Sequence, residues 1–178
     1  YRNKKWNNRI ECVFKGKLEK SGSAKVQYLK IQASYLVGKK PEVALRLIEY
    51  ARAIKEDDFW EQELCLYESK CLYSLKENVK ALEKVYESIE WRRKKSNVQT
   101  DNIYWLAELV LRLKKESEYK KCIGILKEFH VESIFPLHEY WHRGYIAIFN
   151  DRLGSKDIAE NECILAPNFA EYKNNSLN

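Results

Sequence analysis

The sequence predicts an all-α protein built from about four helix–turn–helix units, with further helices at its ends. One short sequence pattern, called the repeat phrase below, occurs four times. In it a large apolar or aromatic residue is followed four positions later by a small residue, and three positions after that by an apolar residue. The small position recurs at intervals of 37, 38 and 37 residues, at Gln32, Ser69, Ala107 and Gly144. Each phrase precedes a second small residue with an apolar partner four positions on, and these pairs begin at Ala44, Ala81, Cys122 and Ala159. The chain has only six glycines and three prolines, which leaves little room for turn-rich β structure.

Residues 1–23 predict a basic amphipathic arm or capping helix that precedes a repeat domain over residues 24–178. The apolar residues of this segment fall on one face at helical spacing. They are Trp6, Ile10, Val13, Phe14 and Leu18. A short Ser-Gly-Ser stretch at residues 21–23 then breaks the chain before the first full unit.

Several residue types mark boundaries within the repeat domain. Pro41 and Pro136 suit the first turn of a helix, where the missing N–H of proline is tolerated. Candidate N-caps precede the second helices of the later units at Asn78, Ser117 and Ser155. The charged and polar stretch 92–100 predicts a flexible insertion, and a polar tail follows Pro167.

The order of large, small and apolar residues resembles the tetratricopeptide repeat (TPR) superfamily over about residues 24–172. The fourth unit matches best, with Tyr140–Gly144 followed by Leu165–Glu171. The resemblance implies a right-handed solenoid in which paired helices approach closely at the small residues. The sequence departs from the pattern where Gln32 replaces a small residue and where Glu68 and Arg143 replace an apolar one.

In this superfamily the first helices line a concave groove, and the residue after each large anchor faces into it. The resemblance therefore implies a stripe along each first helix, with positions at i, i+4 and i+7. The stripe comprises Leu29, Ala33, Leu36, Leu66, Lys70, Tyr73, Tyr104, Glu108, Leu111, Trp141, Tyr145 and Ile148, with His138 at its rim.

This stripe predicts a non-enzymatic scaffold, adaptor or chaperone-like protein that binds an apolar or aromatic peptide or helix of another protein and needs no cofactor. Tyr73, Tyr104 and Trp141 are the expected anchors, and Lys70 and Glu108 would set the direction of the bound segment by their charge. A second copy of the chain is an alternative partner. Alternatively, the stripe packs inside the fold, against second helices or under the amphipathic N-terminal segment.

One short motif predicts a different function. His138-Glu139-Tyr140-Trp141-His142 matches the HExxH signature of zinc metallopeptidases. Under that alternative His138, His142 and Glu162 would be metal ligands, and Glu139 would activate the zinc-bound water. The repeat phrase already accounts for residues 140–144, which favours the scaffold interpretation.

Charge gives a second alternative, association with nucleic acid. Residues 1–20 contain seven Lys or Arg and two Glu, and Arg92-Arg93-Lys94-Lys95 adds four cations to a chain of net charge +6. Basic segments of this kind contact phosphate, although they also serve as solubilising surface.

The cysteines and the hydropathy pattern bear on the compartment. Five cysteines without C-x-x-C spacing indicate unpaired thiols and an intracellular, reducing environment, cytoplasm or nucleus. No apolar run has the length needed to span a bilayer. The absence of methionine indicates either a fragment or a chain from which some residues are missing.

Overall fold

The computed structural model describes residues 2–95, 100–130 and 136–166, and all regular structure within them is helical. Two single-turn 3₁₀ segments, Gly22–Ala24 and Glu116–Glu118, accompany nine α-helices in these ranges. The helices are α1 Asn8–Glu19, α2 Lys25–Leu36, α3 Pro41–Ile54, α4 Glu61–Ser74, α5 Asn78–Lys94, α6 Asn102–Arg112, α7 Tyr119–Glu128, α8 Pro136–Arg152 and α9 Lys156–Leu165. The chain divides into two compact units, Tyr1–Asn102 and Ile103–Asn178. None of the described helices is long and apolar enough to cross a membrane.

In the first unit, successive helices pair as short-looped hairpins. Helix α2 packs on α3 and α4 packs on α5, while α4 also contacts both helices of the preceding pair. Ala44 and Ala81 of the second helices are completely buried. The Ser69 hydroxyl of α4 donates a hydrogen bond of 2.6 Å to the carbonyl oxygen of Ala81 in α5. The repeat phrase therefore predicts the close approach of these two helices correctly.

The N-terminal segment is part of the core of the first unit. Phe14 and Leu18 of α1 are buried in one cluster with residues of α2 and α3. Gln32 is also buried; its side-chain oxygen accepts from the backbone N–H of Asn3 at 3.0 Å, and its amide donates to the Asn3 carbonyl oxygen at 2.8 Å. This pairing explains the large polar residue at a position where the repeat expects a small one. The structural boundary at Asn102 differs from the predicted division at residues 23 and 24.

Arg92 belongs to a buried polar network rather than to an insertion. Helix α5 continues to Lys94, and the Arg92 guanidinium donates to the carbonyl oxygen of Thr100 at 2.9 Å and to Asn102 Oδ1 at 3.0 Å. The Asn102 amide in turn donates to the carbonyl oxygen of Ser88 at 3.1 Å. The prediction that an irregular stretch begins at Arg92 is wrong, because these bonds hold the last turn of α5 in place. Residues 96–99 of the predicted insertion lie outside the described residues.

Helix α8 is central to the second unit, where it packs on α7 and α9. Phe149 of α8 is completely buried, and its ring centroid lies 5.2 Å from that of Tyr119. The close contact predicted at Gly144 is not present, since a Cβ atom added there would meet nothing within 4 Å. Ala147, three residues later, is buried instead. The prediction for Gly144 is wrong because this residue lies on a half-buried side of α8.

The helix-start predictions have mixed outcomes. Pro41 and Pro136 are the first residues of α3 and α8, as expected. Ser155 occupies the N-cap position of α9, but its side chain makes no capping hydrogen bond. Asn78 is the first residue of α5 and Ser117 lies in a 3₁₀ turn, so the N-cap prediction is wrong for both. The connector residues 131–135 and the tail after residue 166 lie outside the described residues.

Candidate partner-binding surface

Four ring-bearing side chains of the second unit form an aromatic cluster. The Tyr104 ring of α6 lies 5.8 Å from Trp141 in an edge-to-face arrangement and 6.3 Å from Tyr145 in a stacked one. His138 completes the aromatic cluster, with its ring 6.0 Å from Tyr104 and 5.9 Å from Trp141. Such ring pairs contribute about 0.5–1.5 kcal/mol beyond the area that they bury. The rings therefore support one another as a preformed surface.

The spacing of residues along α8 places the aromatic cluster beside the buried face of the helix. His138, Trp141 and Tyr145 follow at intervals of three and four residues, so they share one side of the helix. Phe149, one turn after Tyr145, and Ile146, about 100° around the helix from Tyr145, are buried. The aromatic cluster therefore lies at the margin of the buried face of α8, where its rings are only partly removed from solvent.

Hydrogen bonding and charge fix the edges of the aromatic cluster. The Tyr104 hydroxyl donates to the backbone carbonyl oxygen of His138 at 3.2 Å, which links α6 to the first turn of α8. Burial raises the pKa of the Tyr145 hydroxyl, and the nearby carboxylate of Glu108 raises it further. Glu108 forms an ion pair of 2.6 Å with Arg112 one turn later. The cluster is therefore neutral at its centre and carries a paired charge at its edge.

The predicted stripe remains accessible in the second unit. Tyr104, Glu108 and Leu111 of α6 are half-buried, as are Trp141 and Tyr145. Ile148 continues the α8 stripe by one turn and is 42% exposed. Six stripe residues of this unit can therefore contact a partner molecule.

The same stripe is core in α2. Leu29, Ala33 and Leu36 are completely buried, in the cluster that also contains Phe14 and Leu18 of α1. The prediction that these three residues line an open groove is wrong. The alternative, in which the stripe packs under the N-terminal amphipathic segment, describes α2 correctly.

Helix α4 is intermediate between these two cases. Leu66 is buried, so it too is unavailable to a partner, and the groove prediction is wrong for this residue. Lys70 and Tyr73 are half-buried, and the ammonium group of Lys76 lies 5.9 Å from the centre of the Tyr73 ring. Tyr73 therefore packs partly against its own chain.

The residues of the HExxH motif lie in two separate environments. His138 stacks on Trp141 within the aromatic cluster, whereas the ring of His142 is buried and stacks on His130 at 4.2 Å. Glu139 is also buried; it forms an ion pair with Arg143 at 2.9 Å, and its carboxylate lies within hydrogen-bonding distance of His130 Nε2, at 3.0 Å.

Arg143 accounts for both carboxylates that the metallopeptidase alternative would use. Its guanidinium pairs with Glu139 and also donates to Glu162 of α9 at 3.2 Å. The structure does not bring His138, His142 and Glu162 together as a ligand set. In the described parts of the chain, no group of three His, Cys, Asp or Glu side chains is arranged to hold a metal ion.

Burial governs the titration of His142. Removal from water, together with the neighbouring His130, lowers the pKa of this imidazole to about 4, while the charge of Glu139 opposes the shift. His142 is therefore neutral near pH 7. Sequence reasoning did not identify this packed polar group. Its one signal was Arg143, a charged residue at a repeat position where an apolar one is expected, four residues after Glu139.

Comparison with known proteins finds no match, neither to a family model, nor to a curated protein, nor to a solved structure. The functional interpretation of the aromatic cluster therefore depends on the residues themselves, on their burial and on their mutual distances.

Proposed function

We propose that the protein is a non-enzymatic interaction scaffold or adaptor that binds an apolar or aromatic peptide or helix of another protein on the aromatic cluster. The observation that carries this proposal is the partly exposed apolar stripe of α8 beside its buried face. It runs from His138 to the exposed Ile148 and includes two large aromatic rings. An apolar surface of this kind stays in contact with water unless a partner covers it.

The composition of the aromatic cluster suits protein recognition. Trp and Tyr carry much of the binding energy at protein interfaces, since they bury a large area and lose little conformational freedom. Here Tyr104, Trp141 and Tyr145 are already held against one another, which lowers the entropy lost on binding. An apolar or aromatic segment complements the neutral centre of the cluster.

A finer architecture is part of the same proposal. The helix pairs α2–α3, α4–α5 and α8–α9 recur in chain order, as in a TPR-like array. The Ser69–Ala81 hydrogen bond supports the register of the second pair. Two of the five cysteines, Cys12 and Cys163, are exposed and unpaired, which favours a reducing compartment.

The proposal is tested with peptides selected on the whole protein. A displayed library of random peptides is panned on the full chain, and enriched peptides are synthesised and titrated by fluorescence anisotropy. We expect apolar and aromatic sequences. Trp141→Ala should weaken their binding by at least about tenfold, because interface hot spots contribute 2 kcal/mol or more and 1.4 kcal/mol is tenfold.

Two further variants complete the design. Tyr50→Ala is the matched control, since Tyr50 is an exposed aromatic residue of the first unit and its loss should leave affinity unchanged. Ile148→Ser changes an exposed residue of the stripe and cannot unfold the protein by emptying a core, so it tests the surface even if Trp141→Ala loses structure. Peptides whose affinity is insensitive to both Trp141→Ala and Ile148→Ser would refute the assignment.

A further inference from the structure

The charged side chains of α1 are sorted into two opposite rows. Glu11, Lys15 and Glu19 follow at four-residue intervals, and Lys15 forms an ion pair of 2.7 Å with Glu11. Arg9 and Lys17 lie eight residues apart, across the helix from this row, with Val13 between them. The second row, extended by Lys20 at the C-cap, contains three exposed cations and no acidic residue.

The basic residues before α1 are also held in place. Asn3 is fixed to Gln32 through its backbone and its side-chain amide, at 2.8–3.0 Å. Its neighbours Arg2, Lys4 and Lys5 are exposed. The Trp6 ring packs edge-to-face on Phe14 at 5.6 Å, which anchors the end of the segment. The cations around Asn3 are therefore displayed from an ordered backbone instead of a loose tail.

We propose that residues 2–5 and the Arg9–Lys17–Lys20 row form a nucleic-acid-binding surface that contacts phosphates without reading sequence. The duplex backbone is a dense line of negative charge, and a protein gains affinity by releasing the counterions condensed on it. Exposed Arg and Lys on a fixed frame meet that requirement. This surface lies in the first unit, whereas the aromatic cluster lies in the second.

The environment of α1 distinguishes nucleic acid from a membrane surface. A helix that lies on a bilayer needs an exposed apolar side to insert. The apolar residues Phe14 and Leu18 of α1 are buried in the first unit, and Val13, 53% exposed, is a single side chain within the basic row. The basic row can therefore attract phosphate, but α1 has no apolar face left for lipid.

Two of the four basic residues at the end of α5 are bonded within their own part of the chain. Arg92, part of the basic tetrad that the sequence suggested for nucleic acid, is buried and bonded to Thr100 and Asn102. Arg93 is paired with Glu90. The proposed contact therefore uses the cations of the N-terminal segment and α1 and neither of these two arginines.

The test measures the salt dependence of DNA binding. A labelled duplex of about 20 random base pairs is titrated by anisotropy with the full chain, over salt concentrations from about 20 to 200 mM. The variant Arg9→Gln/Lys17→Gln is compared with Lys120→Gln/Lys127→Gln, which removes the same charge from exposed positions of α7. Each lost phosphate contact lowers the slope of log K against log salt by about 0.9, so the α1 variant should lose about 1 to 2 units of slope and the α7 variant none.

Three results would overturn the proposal. Equal losses in both variants would mean that only net charge matters. Absence of duplex binding at the lowest salt would remove the activity itself. Tight binding to phosphatidylserine vesicles or polyglutamate, sensitive to Arg9→Gln/Lys17→Gln while duplex binding is not, would assign the surface to a lipid or to an acidic protein.

Discussion

Gly144→Ala should stabilise the protein, although the repeat pattern predicts the opposite. Gly144 lies in the interior of the 17-residue helix α8, and a Cβ atom at this position meets nothing within 4 Å. Glycine in a helix interior is less favourable than alanine by about 0.5–1 kcal/mol, because it loses more backbone freedom on folding. Without a steric conflict, the substitution should recover this amount.

The matched comparison is with a glycine that no repeat contact involves. Gly124 lies in α7, is exposed and has the same empty surroundings, so Gly124→Ala should give a similar gain. Ala81→Leu provides the contrast. Ala81 is completely buried where α4 and α5 meet, and added volume there should cost about 1–3 kcal/mol.

The assay is urea unfolding followed by far-ultraviolet circular dichroism, with tryptophan fluorescence recorded in parallel. The second probe matters because a chain of two compact units need not unfold in one step. A gain of 1 kcal/mol corresponds to a rise of about 2–4 °C in Tm for a chain of this size. If Gly144→Ala loses 1 kcal/mol or more while Gly124→Ala gains, the helices do meet at Gly144 and the described packing of α8 is incorrect.

Three further expectations concern groups that the structure buries or exposes. The His142 side chain is 5% exposed, and its pKa is lowered from 6.5 to about 4 in the folded state. As the pH falls, His142 of the unfolded chain is therefore protonated first, and the free energy of unfolding should fall by about 3 kcal/mol between pH 6.5 and 4. In urea titrations at stepped pH, His142→Gln should remove most of this pH dependence. Arg92→Ala should lower the free energy of unfolding, measured in urea, by about 2–3 kcal/mol, because it leaves buried hydrogen-bond partners unpaired. Arg93 is exposed, so Arg93→Ala should change this free energy by less than about 0.5 kcal/mol. Equal effects of the two substitutions would contradict the buried network. In a thiol titration of the native protein, Cys12 and Cys163 should react fast and the other three cysteines slowly. Burial protects these three thiols from the reagent and raises the pKa of each to about 12. More than two fast-reacting thiols would contradict that burial.

Sequence periodicity identified the helices well because helix formation follows local spacing. The small residues at Ser69 and Ala81 also gave a correct tertiary contact, since a repeat phrase encodes where two neighbouring helices meet. The positions of Pro41 and Pro136 correctly predicted the first residues of two helices. The reason is equally local, because proline lacks the backbone N–H that the first turn of a helix does not use.

What sequence could not supply is the neighbour that covers a given helix face. The α2 and α8 stripes have the same spacing, yet Leu29 is in the core and Ile148 is exposed. The difference arises from α1, whose Phe14 enters the cluster around α2. Arg143 shows the same limit for polar groups, because its two carboxylate partners lie on different helices.

The two proposed surfaces belong to different units, and this makes their ligands separable by stability. A ligand that binds only the native state adds about 2.7 kcal/mol at a concentration one hundred times its Kd. An aromatic peptide on α8 should therefore offset most of the loss that protonation of His142 causes in the same unit. A DNA duplex on α1 stabilises the first unit and should not offset this loss in the second. The fluorescence of Trp141, isolated by replacing the other tryptophans with Phe, would report the second unit directly. Equal protection of this signal by both ligands would contradict the assignment of peptide and nucleic acid to separate surfaces.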